Sequence, residues 1–211
     1  MALQEDGFGE LLPGADTIIF DEAHHIPEIA SLFFSTVLSG RQLIELARDV
    51  EAEALRSAKD MSALLDEASQ LQKNVFGMRL AMGSDLKRLP WSQKPDAQLA
   101  EMIMLIKQSL RQLEALLKES AVRSKELEAC WKRGAKMIES FNILTGETPP
   151  HNVHWFEIHA QSFTIHLTPM IVADFFKRYI QEKKRSWIFT SATLTVKDSF
   201  QLFVDTLGLH N

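Results

Sequence analysis

The feature that most constrains the fold is a change in hydrophobic period, from strand-like near both ends of the chain to helical between them. Residues 16–20, DTIIF, are short, β-branched and aromatic, and predict a buried strand. The run WIFTSATL in residues 187–194 predicts a second buried strand followed by a hydroxyl-rich turn. The middle third repeats apolar residues at three- and four-residue spacings, which is typical of packed helices. This order predicts a mostly α chain, in which a helical bundle is inserted into part of an α/β domain.

Periodicity also gives provisional boundaries. We expect an α/β part in residues 1–39, a helical insertion in 40–148 and a return to the α/β part in 149–211. The apolar stripes of the insertion are expected to form its core, and the clearest is Leu99, Ile103, Ile106, Leu110, Leu113 and Leu117. The predicted flanking elements are a helix from Ile26 to Leu38, a hairpin turning at Gln161–Ser162, a helix in residues 170–182 and a last helix from Asp198 to Leu207.

Composition excludes several classes of protein. The chain has 211 residues, no apolar run long enough for a membrane span and no signal-peptide pattern at its start, so we expect a cytoplasmic protein without a membrane partner. Its single cysteine, Cys130, excludes an internal disulfide framework and a cysteine-ligated cluster within the chain. The net charge of −5 argues against a uniformly basic nucleic-acid binder.

Two carboxylates follow the first predicted strand, in the stretch TIIFDEAHHIPE. In nucleotide-hydrolysing α/β folds, one carboxylate at a strand end holds Mg²⁺ and a second orients and deprotonates the attacking water. Asp21 and Glu22 fit that pair, because Mg²⁺ prefers one or two carboxylates together with phosphate oxygens. The alternative is that these acids only favour the start of the following helix. The stretch alone does not decide between the two.

The second motif, WIFTSATL, is weak by itself, but the two motifs together are a strong signal. DEAH and SAT together resemble the Walker B box and motif III of superfamily-2 helicases. Asp21 and Ser191 are 170 positions apart, far more than one βαβ crossover needs. A helical insertion at this place resembles the Arch domain of the DinG/XPD-like DNA helicases. DTIIFDEAHHIPEIA and LTPMIVADFFKRYI are similar to the bacterial DinG type, and to its YoaA-like branch.

The resemblance implies a role for each matching residue. Asp21 would hold Mg²⁺ with ATP, Glu22 would activate the water, and His24 would link the nucleotide site to motif III. Ser191 and Thr193, with Thr190 beside them, would relay hydrolysis to DNA movement. The implied activity is ATP-dependent DNA unwinding, 5′ to 3′ in polarity, in DNA repair or replication.

Parts of such an enzyme are absent from the sequence. It has no G-x-x-x-x-G-K-[ST] phosphate-binding loop, no four-cysteine set for the iron–sulfur cluster that XPD-like enzymes carry upstream, and no second motor domain. We therefore expect a fragment whose missing remainder, the Walker A part and the second motor domain, lies on the rest of a longer protein. Such a fragment should not hydrolyse ATP alone.

A basic stretch in the insertion is the best candidate for single-stranded DNA, which the family passes between Arch and motor. The cations Lys73, Arg79, Lys87 and Arg88 are joined there by the aromatic Trp91. The alternative is a solvated loop whose aromatics pack into the bundle. A second candidate surface is the hairpin, with His154, Trp155 and His166.

Two other functions remain open from the sequence. One is a helical DNA- or protein-binding module with a vestigial DEAH sequence. The other is a metal-dependent hydrolase that uses Asp21, Glu22, His24 and His25. A metal site at His151, His154 and His159 is disfavoured, because their spacing suits neither one helix face nor one strand face.

Overall fold

The computed structural model describes residues 15–83, 86–93, 97–181 and 185–210. These residues form two compact units. The terminal unit comprises the described residues up to Ser35, Pro149–Val153 and those from Thr168 onward. The helical unit comprises Thr36–Thr148 and His154–Leu167, so most of the hairpin groups with the helices.

Six strands and seven α-helices are described, and most residues in them are helical, as predicted. The strands are β1 (Thr17–Phe20), β2 (Thr36–Ser39), β3 (Arg88–Pro90), β4 (Asn152–Ile158), β5 (Phe163–Pro169) and β6 (Ser186–Phe189). The helices are α1 (Ile26–Phe33), α2 (Gly40–Ser57), α3 (Ser62–Ala81), α4 (Ala97–Ser120), α5 (Lys125–Leu144), α6 (Ala173–Gln181) and α7 (Gln201–Leu207). Short 3-10 turns occupy Ala23–His25, Trp91–Gln93 and Ala121–Arg123.

A two-stranded parallel sheet is the centre of the terminal unit. β1 pairs with β6 in a register that sets Thr17 opposite Ser186 and Phe20 opposite Phe189. Helices α1, α6 and α7 supply most of the small core packed beside it, which contains Ala23, Ile26, Ala30, Val172, Phe176, Leu194 and Leu207. Both strands were predicted to be buried, but Ile19 is 64% exposed and Ile188 is 44% exposed. The prediction of buried strands is therefore wrong for one side of this sheet.

The four long helices of the helical unit pack as a closed bundle. Each of α2, α3 and α4 contacts the next helix along the chain, and α5 also contacts α2. Of the predicted seam in α4, Leu99, Ile106 and Leu117 are fully buried, which confirms that this stripe is core. Helix α2 begins with a capping box, in which Ser39 and Gln42 satisfy each other's backbone amides.

A four-stranded sheet of order β2-β5-β4-β3 covers the bundle. Phe156, Phe163 and Ile165 point from its inner face into the bundle core and are fully buried. The backbone approaches closely at Gly40, where a Cβ atom would lie 2.9 Å from the Phe163 ring. Only glycine fits at the start of α2 unless that ring moves.

Three predicted element boundaries are wrong. The predicted helix from Ile26 to Leu38 ends at Phe33, because Thr36–Ser39 pair with β5 as an antiparallel strand. The last helix begins at Gln201 instead of Asp198, and the helix predicted in residues 170–182 begins at Ala173. Residue 182 lies outside the described part of the chain.

Candidate active site

The two motifs meet at one edge of the terminal unit's sheet. Because β1 and β6 run parallel, their carboxyl ends lie together, with Asp21 following β1 and Thr190 following β6. The amide of Thr190 donates to the carbonyl of Phe20 at 2.8 Å, and the amide of Ala23 donates to the carbonyl of Thr190 at 2.9 Å. These bonds hold residues separated by about 170 positions in fixed register.

Asp21 is oriented from two directions. Its Oδ1 accepts a hydrogen bond from the Thr190 hydroxyl at 2.9 Å and another from the amide of Glu22 at 3.0 Å. Within the described residues both hydrogen bonds go to Oδ1. The carboxylate is therefore fixed in direction, while its Oδ2 is left available to a cation.

Glu22 has a left-handed backbone, with φ of +51° and ψ of +42°. A non-glycine residue in this region stores about 1–3 kcal/mol of strain, and such residues cluster at functional sites. The strained turn places Glu22 between β1 and the following 3-10 turn, with a side chain that is 62% exposed. Its carboxylate therefore reaches solvent at the point where the strands end.

His24, Ser191 and Glu22 form a compact triangle. His24 Nδ1 lies 2.8 Å from Ser191 Oγ and 3.3 Å from Glu22 Oε2. The Ser191 hydroxyl donates to Glu22 Oε2 at 3.3 Å and accepts from the amide of Thr193 at 3.3 Å. If Ser191 donates its one proton to Glu22, His24 Nδ1 must be the donor to Ser191. The arrangement links an acid after β1 to the loop after β6 through a titratable ring.

A cavity of about 240 Å³ adjoins the acids. Asp21, Glu22 and His25 line its polar end, and the remainder is apolar side chains of β1, α1 and α6, including Phe33 and Tyr179. His25 also packs on His24 with ring centroids 3.9 Å apart. The sequence assigned His25 a role only in the metal-hydrolase hypothesis and gave no signal that it would border a cavity.

The described residues contain no group of three or more His, Cys, Asp or Glu side chains placed to hold a metal ion. Mg²⁺ bound with a nucleotide needs no such protein cage, since one or two carboxylates and the phosphates suffice. His154 is also unsuited to be a metal ligand, because its ring nitrogens contact Thr148 Oγ1 at 2.8 Å and the carbonyl of Leu144 at 3.0 Å. Among the same described residues, no helix is both long and apolar enough to cross a membrane.

The structure separates the residues of the predicted basic stretch. Trp91 is 3% exposed and stacks on His154, and Arg79 is 8% exposed and donates to the carbonyls of His159 and Gly83. Neither side chain presents a surface to DNA in this conformation. Lys73, Lys87 and Arg88 are exposed, and Arg88 forms an ion pair with Glu157.

The predicted hairpin surface is divided between the two faces of the sheet. His154 points inward and is 7% exposed, because successive strand residues face opposite sides. Trp155 and His166 lie on the outer face, stacked in parallel with centroids 3.9 Å apart, and Arg88 lies over the Trp155 ring. Burial lowers the pKa of His166, and the neighbouring Glu157 carboxylate partly opposes that shift.

Comparison with known proteins finds relatives along the whole chain. It is 36% identical over 214 residues to "ATP-dependent DNA helicase YoaA" of Escherichia coli, covering 99% of this chain and 33% of that protein. It is 35% identical over 217 residues to the protein of the same name from Haemophilus influenzae, covering 100% of this chain and 33% of that protein. The chain thus spans about a third of the length of the curated relatives it matches.

Two other comparisons add little. No protein-family model matches the chain. A solved structure of Xpd4 from S. tokodaii aligns with a TM-score of 0.41 and 17% identity, over 87% of this chain and 35% of that one. That likeness is too low to support an argument about the fold. The resemblance to DinG/XPD-like helicases is confirmed by the sequence relatives.

Proposed function

From the premise that this chain is a segment of a DinG/XPD-like helicase, similar throughout to one third of YoaA, we propose that it supplies the Walker B and motif III parts of an ATP-dependent DNA helicase. The observation that carries this proposal is the hydrogen-bonded triangle of Glu22, His24 and Ser191. It lies beside Asp21, whose carboxylate is bonded to Thr190. If the DEAH sequence had arisen by chance, its side chains would not be expected to contact an SAT sequence at the end of a paired strand.

Asp21 is the proposed Mg²⁺ ligand. Its Oδ1 accepts from the Thr190 hydroxyl and the Glu22 amide, and its Oδ2 is the oxygen proposed to bind the ion. When bound with ATP, Mg²⁺ neutralises charge on the phosphates and orients them for attack. The residues present fit this ion, because an oriented carboxylate completes its preferred oxygen ligands.

Glu22 is the proposed general base that positions and deprotonates the attacking water. Its carboxylate is exposed, and one oxygen accepts the Ser191 hydroxyl. The residue has a left-handed backbone at the strand end, a strained conformation of the kind that clusters at functional sites. A base in this position contributes typically 10²- to 10⁴-fold to a rate.

His24, Ser191, Thr193 and Thr190 are proposed to couple hydrolysis to motion. His24 contacts both the proposed base and the motif III hydroxyl, so any movement of Glu22 on hydrolysis would change the Ser191 contact. The Thr190 hydroxyl contacts Asp21, so any movement of Asp21 on hydrolysis would change that contact in the same way. The coupling is therefore local, through single hydrogen bonds between the two motifs.

The helical residues, roughly 40–148, are proposed to be an Arch-like domain that gates single-stranded DNA, with motor-domain parts in residues 1–39 and 149–211. Lys73, Lys87 and Arg88 remain proposed phosphate contacts because they are exposed. The phosphate-binding loop, the second motor domain and any iron–sulfur cluster would lie on the rest of the longer protein. Polarity of 5′ to 3′ and a part in DNA repair or replication belong to the same proposal.

ATP hydrolysis by two polypeptides tests the proposal. The 211-residue chain alone should show no turnover above background, because no P-loop motif is present in it. The polypeptide of the complete reading frame should hydrolyse ATP, and single-stranded DNA should stimulate it. Absence of turnover in the complete polypeptide, with DNA binding intact, would instead support a binding module with a vestigial DEAH sequence.

A further inference from the structure

A cleft of about 700 Å³ lies on the helical unit, apart from the candidate active site. The first two turns of α2 form one wall, α3 contributes Phe76, and the turn between β4 and β5 forms the other wall. The turn contributes Gln161 and Ser162. The cleft thus combines two arginines, the carboxylate of Glu45, an aromatic ring and amide and hydroxyl groups.

Two arginines give the cleft its charge. Arg41, Glu45 and Arg48 stand at i, i+4 and i+7 of α2, so they share one face of the helix. Glu45 Oε1 accepts from Arg41 Nε at 2.8 Å, and the Arg41 side chain is 81% exposed. Arg48 is also exposed. The two cations stand about 10 Å apart along the helix axis, from a rise of about 1.5 Å per residue.

Phe76 supplies an exposed aromatic face. It is 45% exposed on a helix whose core-facing side chains, such as Leu71 and Met78, are fully buried. An aromatic ring beside cations is the combination that single-strand binders use, with bases stacked on the ring and phosphates on the cations. Gln161 and Ser162 across the cleft can hydrogen bond to base edges or sugars.

We propose that this cleft holds single-stranded DNA, with a base stacked on Phe76 and phosphates on Arg41 and Arg48. The proposal rests on the proposed helicase function for its ligand class. Phe76 lies within the predicted basic stretch, between Lys73 and Arg79, whereas Arg41 and Arg48 lie outside it. Arg79 and Trp91 of that stretch are buried, whereas Phe76 is exposed and lines the same cleft as Arg41 and Arg48.

Binding of a fluorescein-labelled dT20 oligonucleotide to the 211-residue chain, followed by anisotropy from 50 to 200 mM salt, tests the cleft. Phe76→Leu keeps an apolar side chain but removes the ring, and should weaken binding about 5- to 100-fold. Phe76→Trp keeps an aromatic ring and should bind as the unaltered chain does. Arg41→Gln and Arg48→Gln should each reduce the slope of log affinity against log salt by about 0.7.

Matched controls lie on the same two helices. Leu80→Ala removes another exposed apolar side chain of α3, and Arg56→Gln removes another exposed arginine of α2, which pairs with Glu53 as Arg41 pairs with Glu45. Both controls should bind dT20 as the unaltered chain does. A hundredfold excess of dTMP should not displace the oligonucleotide, because one nucleotide cannot engage both arginines and the ring.

Three results would contradict the proposal that this cleft holds single-stranded DNA. The first is unchanged dT20 affinity in the cleft variants together with loss of binding in a Lys87→Gln, Arg88→Gln double variant. That result would place the DNA contact at Lys87 and Arg88 instead of in the cleft. The second is displacement by dTMP, which would indicate a mononucleotide site. The third is no binding of dT20 by the unaltered chain. None of the three alters the ATP-hydrolysis proposal, which is judged by Glu22 in the complete polypeptide.

Discussion

The ring of His24 lies 2.8 Å from the hydroxyl of Ser191, although the two residues are 167 positions apart in the chain. The parallel pairing of β1 with β6 brings them together, and the intervening bundle is accommodated as a separate compact unit. The contact joins the loop after one strand to the loop after the other. It is therefore a short physical route from a proposed hydrolysis site to a proposed coupling motif.

Removing the Ser191 hydroxyl should uncouple the two motifs. In the complete polypeptide, Ser191→Ala removes the group that His24 and Glu22 share, while Asp21 and its Thr190 contact remain. We expect DNA unwound per ATP hydrolysed to fall about 5-fold or more, the lower end of measured coupling between sites. Parallel assays of ATP turnover and strand displacement measure that ratio.

Ser199→Ala is the matched control, since Ser199 also follows β6 but bonds only locally, to the amide of Gln201 among the described contacts of its hydroxyl. It should leave the ratio unchanged. Equal loss of turnover and unwinding in Ser191→Ala would show that Ser191 serves hydrolysis itself and not its coupling.

The bundle core should dominate the stability of the helical unit. Leu46 on α2 is fully buried, whereas Leu55 on the same helix is 58% exposed. Leu46→Ala should lower the free energy of unfolding by about 2–5 kcal/mol through lost contacts and a residual cavity. Leu55→Ala should change it by less than about 0.5 kcal/mol.

Urea unfolding followed by tryptophan fluorescence measures both leucine variants. Trp91, Trp131 and Trp155 all lie in the helical unit and report on it. Similar midpoints for Leu46→Ala and Leu55→Ala would contradict the packing described for α2.

His166 should make stability depend on pH in one direction. Burial lowers the pKa of His166 below the ordinary value of 6.5. Well above pH 6.5 the ring is neutral in both the folded and the unfolded chain, so His166 does not change the free energy of unfolding with pH there. As the pH falls below 6.5, the unfolded chain takes up a proton that the folded chain resists, and stability is lost down to the folded pKa.

Thermal unfolding at pH 7.5 and pH 5.5 tests the direction of this pH dependence. His166→Phe keeps a ring against Trp155 but cannot titrate, so its melting temperature should fall less between the two pH values than that of the unaltered chain. His151→Asn is the control, because His151 is exposed and Asn tolerates its φ of +57°. An equal fall in the His166 variant would show that the acid sensitivity arises elsewhere.

The sequence predicted the long helices and the strands β1, β4, β5 and β6, but it placed most of the strand β2 in a helix, for a physical reason. The α4 seam from Leu99 to Leu117 repeats over about five turns, so its helical period is unambiguous and its buried face is readable. Residues Thr36–Ser39 continue a local helical pattern from α1, and their pairing with β5, some 130 positions away, overrides it. The local sequence of residues 36–39 does not indicate a strand partner so far along the chain.

Side-chain burial limited the prediction of binding residues in the same way. The basic and aromatic composition around Arg79 and Trp91 indicated DNA contact, but composition does not report which side chains face the core. The acids of the first motif were identified from residue type and position, and the hydroxyls of the second from the resemblance of SAT to motif III. Their meeting at one edge depends on the parallel register of β1 and β6, which only the structure gives.

The most direct test of the central claim is Glu22→Gln in the complete polypeptide, with ATP binding and DNA-stimulated ATP turnover measured side by side. Loss of the base should reduce turnover by about 10²-fold or more while nucleotide affinity is kept, because the amide still fills the same space. Glu28→Gln, which changes an exposed acid six residues onward in α1, should behave as the unaltered protein. Turnover that survives in Glu22→Gln would contradict the assignment of this strand end as the hydrolysis site.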